Sequence, residues 1–398
     1  MRNDWSFVPS FSDAVHRVER SNVHTTFASS HKPVSRVRPG ELVHVETWDC
    51  YNGKINPSNP SPMQLKREEL NPVTGPLYIE GAEPGDVLSV TLHDIRPTTT
   101  GVAICGSASG QLCHTVNAPW CTKFFEIDLV RNTVTMMEEE NGNSKRIAPI
   151  AFNASPMLGV IGVAPAGEEA VPTMPAGKHG GNLDNRLNGI GCTLHLPVNH
   201  RGALLSIGDM HASQGDGEIC GTGVEVGGDV LLSCQVIKRE SLQKNAKEFV
   251  LEYPVTETSS HWITHGVTVE NIPEATTVAC EQAQKFWCNN GDIPPKKLSF
   301  FWVLRAILAC VNPVTLTEEL KSLKWWFQSC PAARGHLDAC TQTKVKDDHS
   351  DPAMHKTSSC GNISNGWKKM LVMTSPTLVL EQAQLLIRQK SFYLPATG

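Results

Sequence analysis

The chain has little of what would tie it to nucleic acid, to a membrane or to a disulfide framework. Its 398 residues carry a formal charge of −5, and only 19% are charged. The first 260 residues contain no run of lysines and arginines, which argues against phosphate backbones and anionic membrane surfaces as partners. No apolar stretch approaches the roughly 20 residues that cross a bilayer; the longest, Phe300 to Val311, is interrupted by Arg305. The opening MRNDWSFVPSFSDAVHRVER has no apolar core of the kind a secretory signal needs, so a cytoplasmic protein is expected. Cysteine is plentiful, at 13 residues, but no CxxC occurs and the number is odd. Mostly reduced thiols are expected, and the sequons at Asn153 and Asn362 carry little weight without a secretory route.

What is present reads as a mainly β, sandwich-like fold. Short β-type runs broken by Gly, Pro and Asn fill the chain from Pro39 to Lys238, among them Glu41 to Thr47, Val87 to His93, Phe125 to Val130 and Val230 to Ile237. In the second of these Leu88, Val90 and Leu92 alternate with Val87, Ser89 and Thr91, which buries one face. GIGCTLHLPVNHRG adds another strand and its exit turn. A few helices are expected, one over 274–290, where Val278, Ala279, Ala283 and Phe286 with Trp287 recur at helical spacing, and another over Thr377 to Arg388. The organisation predicted is a β-rich domain over 1–297, followed by an atypical, poorly ordered extension over 298–398 that carries no catalytic residue.

Chemistry concentrates in GDMHASQGDGEICGTGVE, from Gly208 to Glu225. In an extended strand Asp209 and His211 point the same way, and a Gly215-Asp216-Gly217 turn brings Glu218 back beside them. Imidazole and carboxylate together suit a divalent metal with an open position for water. The alternative is a polar hairpin whose buried histidine caps backbone groups. Asp49 ends a strand before the Asn52-Gly53 turn, and Glu80 follows an apolar strand. Each lines a site or serves its own turn, whereas Glu83 and Asp86 read as turn residues. His179, Asn182 and Asp184 lie on the glycine-rich HGGNLDNR loop, a place for ligand contacts. PMLGVIGVAP reads as scaffold.

Taken in order, NPVTGPLYIEGAEPGDVL, PMLGVIGVAP, HGGNLDNR, GDMHASQGDGEICGTGVE and HWITHG resemble the acetamidase/formamidase family from about residue 30 to 290. The resemblance implies a β-rich fold, hydrolysis of short amides such as formamide or acetamide to a carboxylate and ammonia, and a bound divalent metal. It picks out Asp49, Glu80, His179, Asn182, Asp184, Asp209, His211, Asp216 and Glu218. From these we expect Asp49, His179, Asp209 and His211 to hold the metal, zinc with calcium as the alternative. Glu80 or Glu218 is the expected general base, and Asn182, Asp184 and Asp216 the expected substrate contacts. The amides of Gly180 and Gly181, or of Gly215 and Gly217, are candidates to support an oxyanion. A small amide substrate and a homo-oligomer are the expected partners. Two other readings compete: an amidase with Cys50 or Cys192 as nucleophile, and a catalytically silent β-sandwich that binds a ligand or partner. The resemblance stops near Pro294.

Overall fold

The computed structural model describes residues 9–106, 110, 120–137, 150–216, 218, 220–241, 250–259, 261–267, 272–290 and 391–395. The expected strands are present with shifted bounds. Leu42–Thr47, Val87–Pro97, Cys121–Asp128, Gly228–Ile237 and Thr193–Pro197 are all strands. They belong to two large sheets. In the eight-stranded sheet, Leu42–Thr47 lies between His16–Val18 and Gly228–Ile237. Gly228–Ile237 then leads through Val87–Pro97, Thr193–Pro197, Val255–Glu257 and His261–His265 to Ser391–Pro395. In the twelve-stranded sheet the centre is Ala203–His211, flanked by Met157–Gly162 on one side and by Val73–Ile79 and Glu225–Val226 on the other.

Alternation explains how the sheets face each other. In Leu42–Thr47 the side chains of Val43, Val45 and Thr47 are buried while His44 and Glu46 on the other face are partly exposed. Leu88, Val90 and Leu92 are fully buried, as their spacing requires. They join one core with Leu77, Leu158, Ile161, Leu205 and Ile207 from the opposing sheet. Each such branched side chain contributes about 1.5–3 kcal/mol by leaving water. Ala203–His211 is buried at every position, which is what a strand with neighbours on both edges and layers on both faces must be.

The helix Ile272–Asn290 lies close to the expected bounds. Ala275, Ala279 and Ala283 form its buried stripe. The small side chains allow close approach: a Cβ on Gly266 would come within 2.0 Å of the Ala275 carbonyl. The Thr264 hydroxyl donates to the Ala279 carbonyl at 3.0 Å, fixing strand His261–His265 against the helix. The side chains of 286–290, the apolar run 300–311 and the second expected helix lie outside the described residues. Of the extension, Ser391–Pro395 is described, as a strand paired with His261–His265. No described helix is long and apolar enough to cross a membrane.

Candidate active site

The central strand changes partner in the middle. Gly208 still pairs with Val73, whereas Met210 already pairs with Val226. Asp209 stands at the changeover with φ of 53°, an uncommon conformation for a residue with a side chain. Asp184 and Glu218 also have positive φ, 43° and 40°. Such conformations cost on the order of 1–3 kcal/mol each and gather where a site demands them. Here all three carboxylates turn towards His211.

Register supplies the fourth acid. His211 pairs with Glu225 across the antiparallel strands, and their side chains share a face. His211 Nε2 lies 3.0 Å from Glu225 Oε2, 3.5 Å from Glu218 Oε1 and 3.8 Å from Asp209 Oδ1. Asp184, His211 and Glu218 each offer a ligand atom within 4.8 Å of one another, and so do Cys50, Asp209 and Glu225. Asn71 Nδ2 donates to Asp209 Oδ2 at 3.1 Å, and the Gly223 amide donates to Glu225 Oε1 at 3.0 Å. Below them lies Gly159. A Cβ there would fall 2.6 Å from Asp209 Oδ2, 2.8 Å from Asp184 Oδ1 and 2.9 Å from His211 Cε1. The strand that read as scaffold therefore also leaves the space in which the acids converge.

The cluster is short of positive charge. Burial pushes the Asp209 carboxyl well above its usual range; His211 opposes that, and Glu225, Asp184 and Glu218 add to it. Burial alone would lower the pKa of His211, but Glu225 and Asp209 outweigh it and hold the imidazole well above 6.5. Glu225 is likewise desolvated, yet the neighbouring His211 brings it below the ordinary carboxylate value. Asp209 Oδ1 is buried and accepts no hydrogen bond among the described residues. Four acids around one imidazole, with an oxygen lacking a donor, fit a divalent cation. Oxygen donors with one imidazole nitrogen suit zinc, and the carboxylates alone suit calcium.

Asp209, His211 and Glu218 thus meet as their spacing suggests, and Asp184, expected to contact substrate, stands with them. Asp49 lies close enough to Glu225 to feel its charge, with its pKa raised to about 6 by burial. Its Oδ1 is committed to the Tyr51 and Gly53 amides, both at 2.9 Å. His179 belongs to neither ligand group. Its ring packs edge-on against Phe27 with centroids 5.0 Å apart, and its pKa is lowered to about 4 by burial with no acid contributing. Glu80 is at the surface, its side chain 45% exposed and 3.8 Å from the Arg36 guanidinium. Its strand starts beside the cluster, with Val73 opposite Gly208, and runs away from it, with Tyr78 opposite Ala203. Asn182 is placed opposite Val160 with its Oδ1 buried, and Asp216 is paired with Arg186. Gly180 and Gly181 have φ of 95° and 88°, while Gly217 lies outside the described residues.

Glu225, Asn71 and Gly159 were not among the expected site residues, and Cys50 was expected only as the nucleophile of the competing reading. Glu225 was detectable: a strand returning along Ala203–His211 places an acid opposite His211. Asn71 comes from a segment whose only signal was a neighbouring proline.

The sequence pattern that defines the acetamidase/formamidase family matches residues 12–168 and 164–290. The chain belongs to that family. A Schizosaccharomyces pombe relative is 30% identical over 271 residues, 55% of this chain and 65% of its own length. A formamidase of Methylophilus methylotrophus is 26% identical over 327 residues, 70% of this chain and 80% of its own. The solved acetamidase of Bacillus halodurans is 31% identical and superposes with a TM-score of 0.61, covering 72% of this chain and 89% of the other. The chain thus spans slightly under two thirds of the length of the first of these relatives.

Proposed function

We propose that this chain hydrolyses short aliphatic amides, of the size of formamide and acetamide, to a carboxylate and ammonia. The observation that carries the reading is the buried meeting of Asp184, Asp209, Glu218 and Glu225 around His211 on a family fold whose relatives include a formamidase and an acetamidase. Asp184, Asp209, His211 and Glu225 are the residues we assign to hold a divalent cation, zinc or else calcium. Such a cation supplies Lewis acidity towards a carbonyl oxygen and a water acidified to near-neutral pKa.

Amide carbonyls are poor electrophiles because the nitrogen lone pair is delocalised into them. Cleavage therefore needs a strong nucleophile, a polarised oxygen and a proton for the departing nitrogen. Glu218 is our choice of general base: it reaches the cluster from the connection between the two strands rather than from within one. Its carboxylate takes a proton from water and returns it to nitrogen. Glu225 and Asp209 fix the imidazole of His211, and Asn71 orients Asp209. Glu80 is too remote from the cluster for the base role.

Cys50 as nucleophile is less well supported. Burial, with Glu225, Asp209 and Asp49 nearby, holds its thiol well above the usual range, so the thiolate is scarce at neutral pH. Cys192 is pushed up to about 12 by burial. Self-association into a homo-oligomer is part of the proposal, and light scattering of the purified chain tests it. The activity is tested by ammonia release from formamide, acetamide and longer amides. Turnover of the two smallest amides supports the reading; binding of metal without ammonia from any amide favours the silent β-sandwich instead.

A further inference from the structure

Three thiols converge at one end of the twelve-stranded sheet, outside the acid cluster. Cys105 is the last residue of strand Thr100–Cys105 and Cys121 the first of Cys121–Asp128, and the register sets them directly opposite. In the same register the Ile127 amide donates to the Thr99 carbonyl at 2.9 Å. Counting from there in steps of two makes Cys105 and Cys121 a hydrogen-bonded pair, with Cα atoms about 5.5 Å apart. That is within the span a disulfide bridges. Sitting where the two strands part, the pair can draw together without distorting the ladder beyond it.

A third cysteine reaches the same place. Cys220 is exposed, and it lines with Cys105 and Cys121 a cavity of about 310 Å³ that also touches Phe125, Gln214 and Gly223. The Cys105 thiol is raised by burial, is perturbed by both other sulfurs and hydrogen-bonds that of Cys121. By contrast Cys192 and Cys234 are buried and pushed up to about 12, which leaves them inert. Reactive thiols are those with access and a partner; this group has both.

We propose that Cys105 and Cys121 are a modification site that closes to a reversible disulfide by exchange with a small-molecule disulfide entering at Cys220. The Cys220 thiolate attacks one sulfur of the small disulfide, forming a mixed disulfide and releasing one small thiol. Cys105 then attacks the Cys220 sulfur and releases the second small thiol. Finally Cys121 attacks Cys105, the Cys105–Cys220 bond breaks, and Cys220 regains its proton. Two protein thiols are oxidised and one small disulfide is reduced to two thiols, so the exchange balances with no other oxidant. The bond forms against the Ser213–Val224 connection, which carries Glu218.

The test uses the full chain, fully reduced and then equilibrated across a series of glutathione to glutathione-disulfide ratios. Remaining thiols are alkylated and the digest is mapped by mass spectrometry. The expected product is a peptide pair linked through Cys105 and Cys121, reopened by dithiothreitol. Cys220→Ser reaches the same product roughly tenfold more slowly, and Cys121→Ser stops as a linkage on Cys105 or Cys220. Thiols that stay alkylatable throughout, or a stable link from Cys105 or Cys121 to any other cysteine in the unmutated chain, would overturn the site. Unchanged closure in Cys220→Ser would overturn the entry step.

Discussion

His211 and Glu225 face each other across two antiparallel strands with Nε2 and Oε2 3.0 Å apart, both side chains nearly inaccessible to water. Neither chain segment alone makes this pair. It exists because the central strand releases Val73–Ile79 at Asp209 and takes up Glu225–Val226 beyond it.

Glu225→Gln keeps the shape and removes one negative charge. We expect cation affinity and ammonia release to fall by about 10–100-fold, with the far-ultraviolet circular dichroism unchanged. Calorimetric titration with zinc and with calcium alongside the activity assay checks it; unaltered affinity for both would separate Glu225 from the cation.

Gly159→Ala places a methyl group where Asp209, Asp184 and His211 converge. Overpacking of this kind costs about 1–3 kcal/mol, read as a lowered denaturant midpoint. Because the intruding atom lies on the acids, activity is expected to fall further than stability does. A variant with normal turnover would show that the cluster yields easily and that its packing is not functional.

Chelator treatment is expected to abolish ammonia release, and divalent metal added back is expected to restore it. Cys50→Ser is expected to retain activity. The opposite pair of results, insensitivity to chelator with loss in Cys50→Ser, would transfer the chemistry to the thiol.

Glu80→Gln is expected to leave turnover within about twofold and stability within about 0.5 kcal/mol, since its contact with Arg36 is a surface ion pair. Loss of activity would mean that the exposed carboxylate has a part in the reaction.

His265 is fully buried, and burial drives its pKa down to about 3. Its Nε2 lies 3.0 Å from the Thr256 hydroxyl, which donates its own proton to Asn188 Oδ1 at 2.8 Å. The ring therefore donates from Nε2 and is neutral. A depressed folded pKa means that between about pH 6.5 and 3 the unfolded chain binds more protons. The stabilisation is fully present above pH 6.5 and is lost as pH falls through that window, at roughly 1 kcal/mol per pH unit. His265→Gln should flatten the slope of chemical-denaturation stability against pH. An equal slope in both proteins would count against the assignment.

The two-sheet architecture was legible because alternation leaves a mark on each strand. Val43 and Val45, or Leu88, Val90 and Leu92, need no knowledge of the opposite sheet to show which face is dry. Part of the cluster around His211 was legible for a similar reason. Asp209 and His211 are two apart on one strand, and a glycine turn after them suggested Glu218. Asp184 was visible as a loop residue, expected to contact substrate, and the structure stands it beside His211. His179 and Glu80 were expected in the cluster and stand outside it, because a side chain's chemistry is local whereas its destination is not. The HGGN loop delivers its histidine to Phe27, and Glu80 emerges beside Arg36.

By itself the sequence determined the periodicities, the family and the stock of acids and imidazoles, since these depend on neighbours along the chain. Only the tertiary structure decided that Glu225, Cys50 and Asn71 join Asp209, and that Gly159 leaves room for them. The physical reason is that pairing register and the change of partner at Asp209 are properties of two strands at once, fixed by burial on both faces of the sheet and not by any one segment's residues.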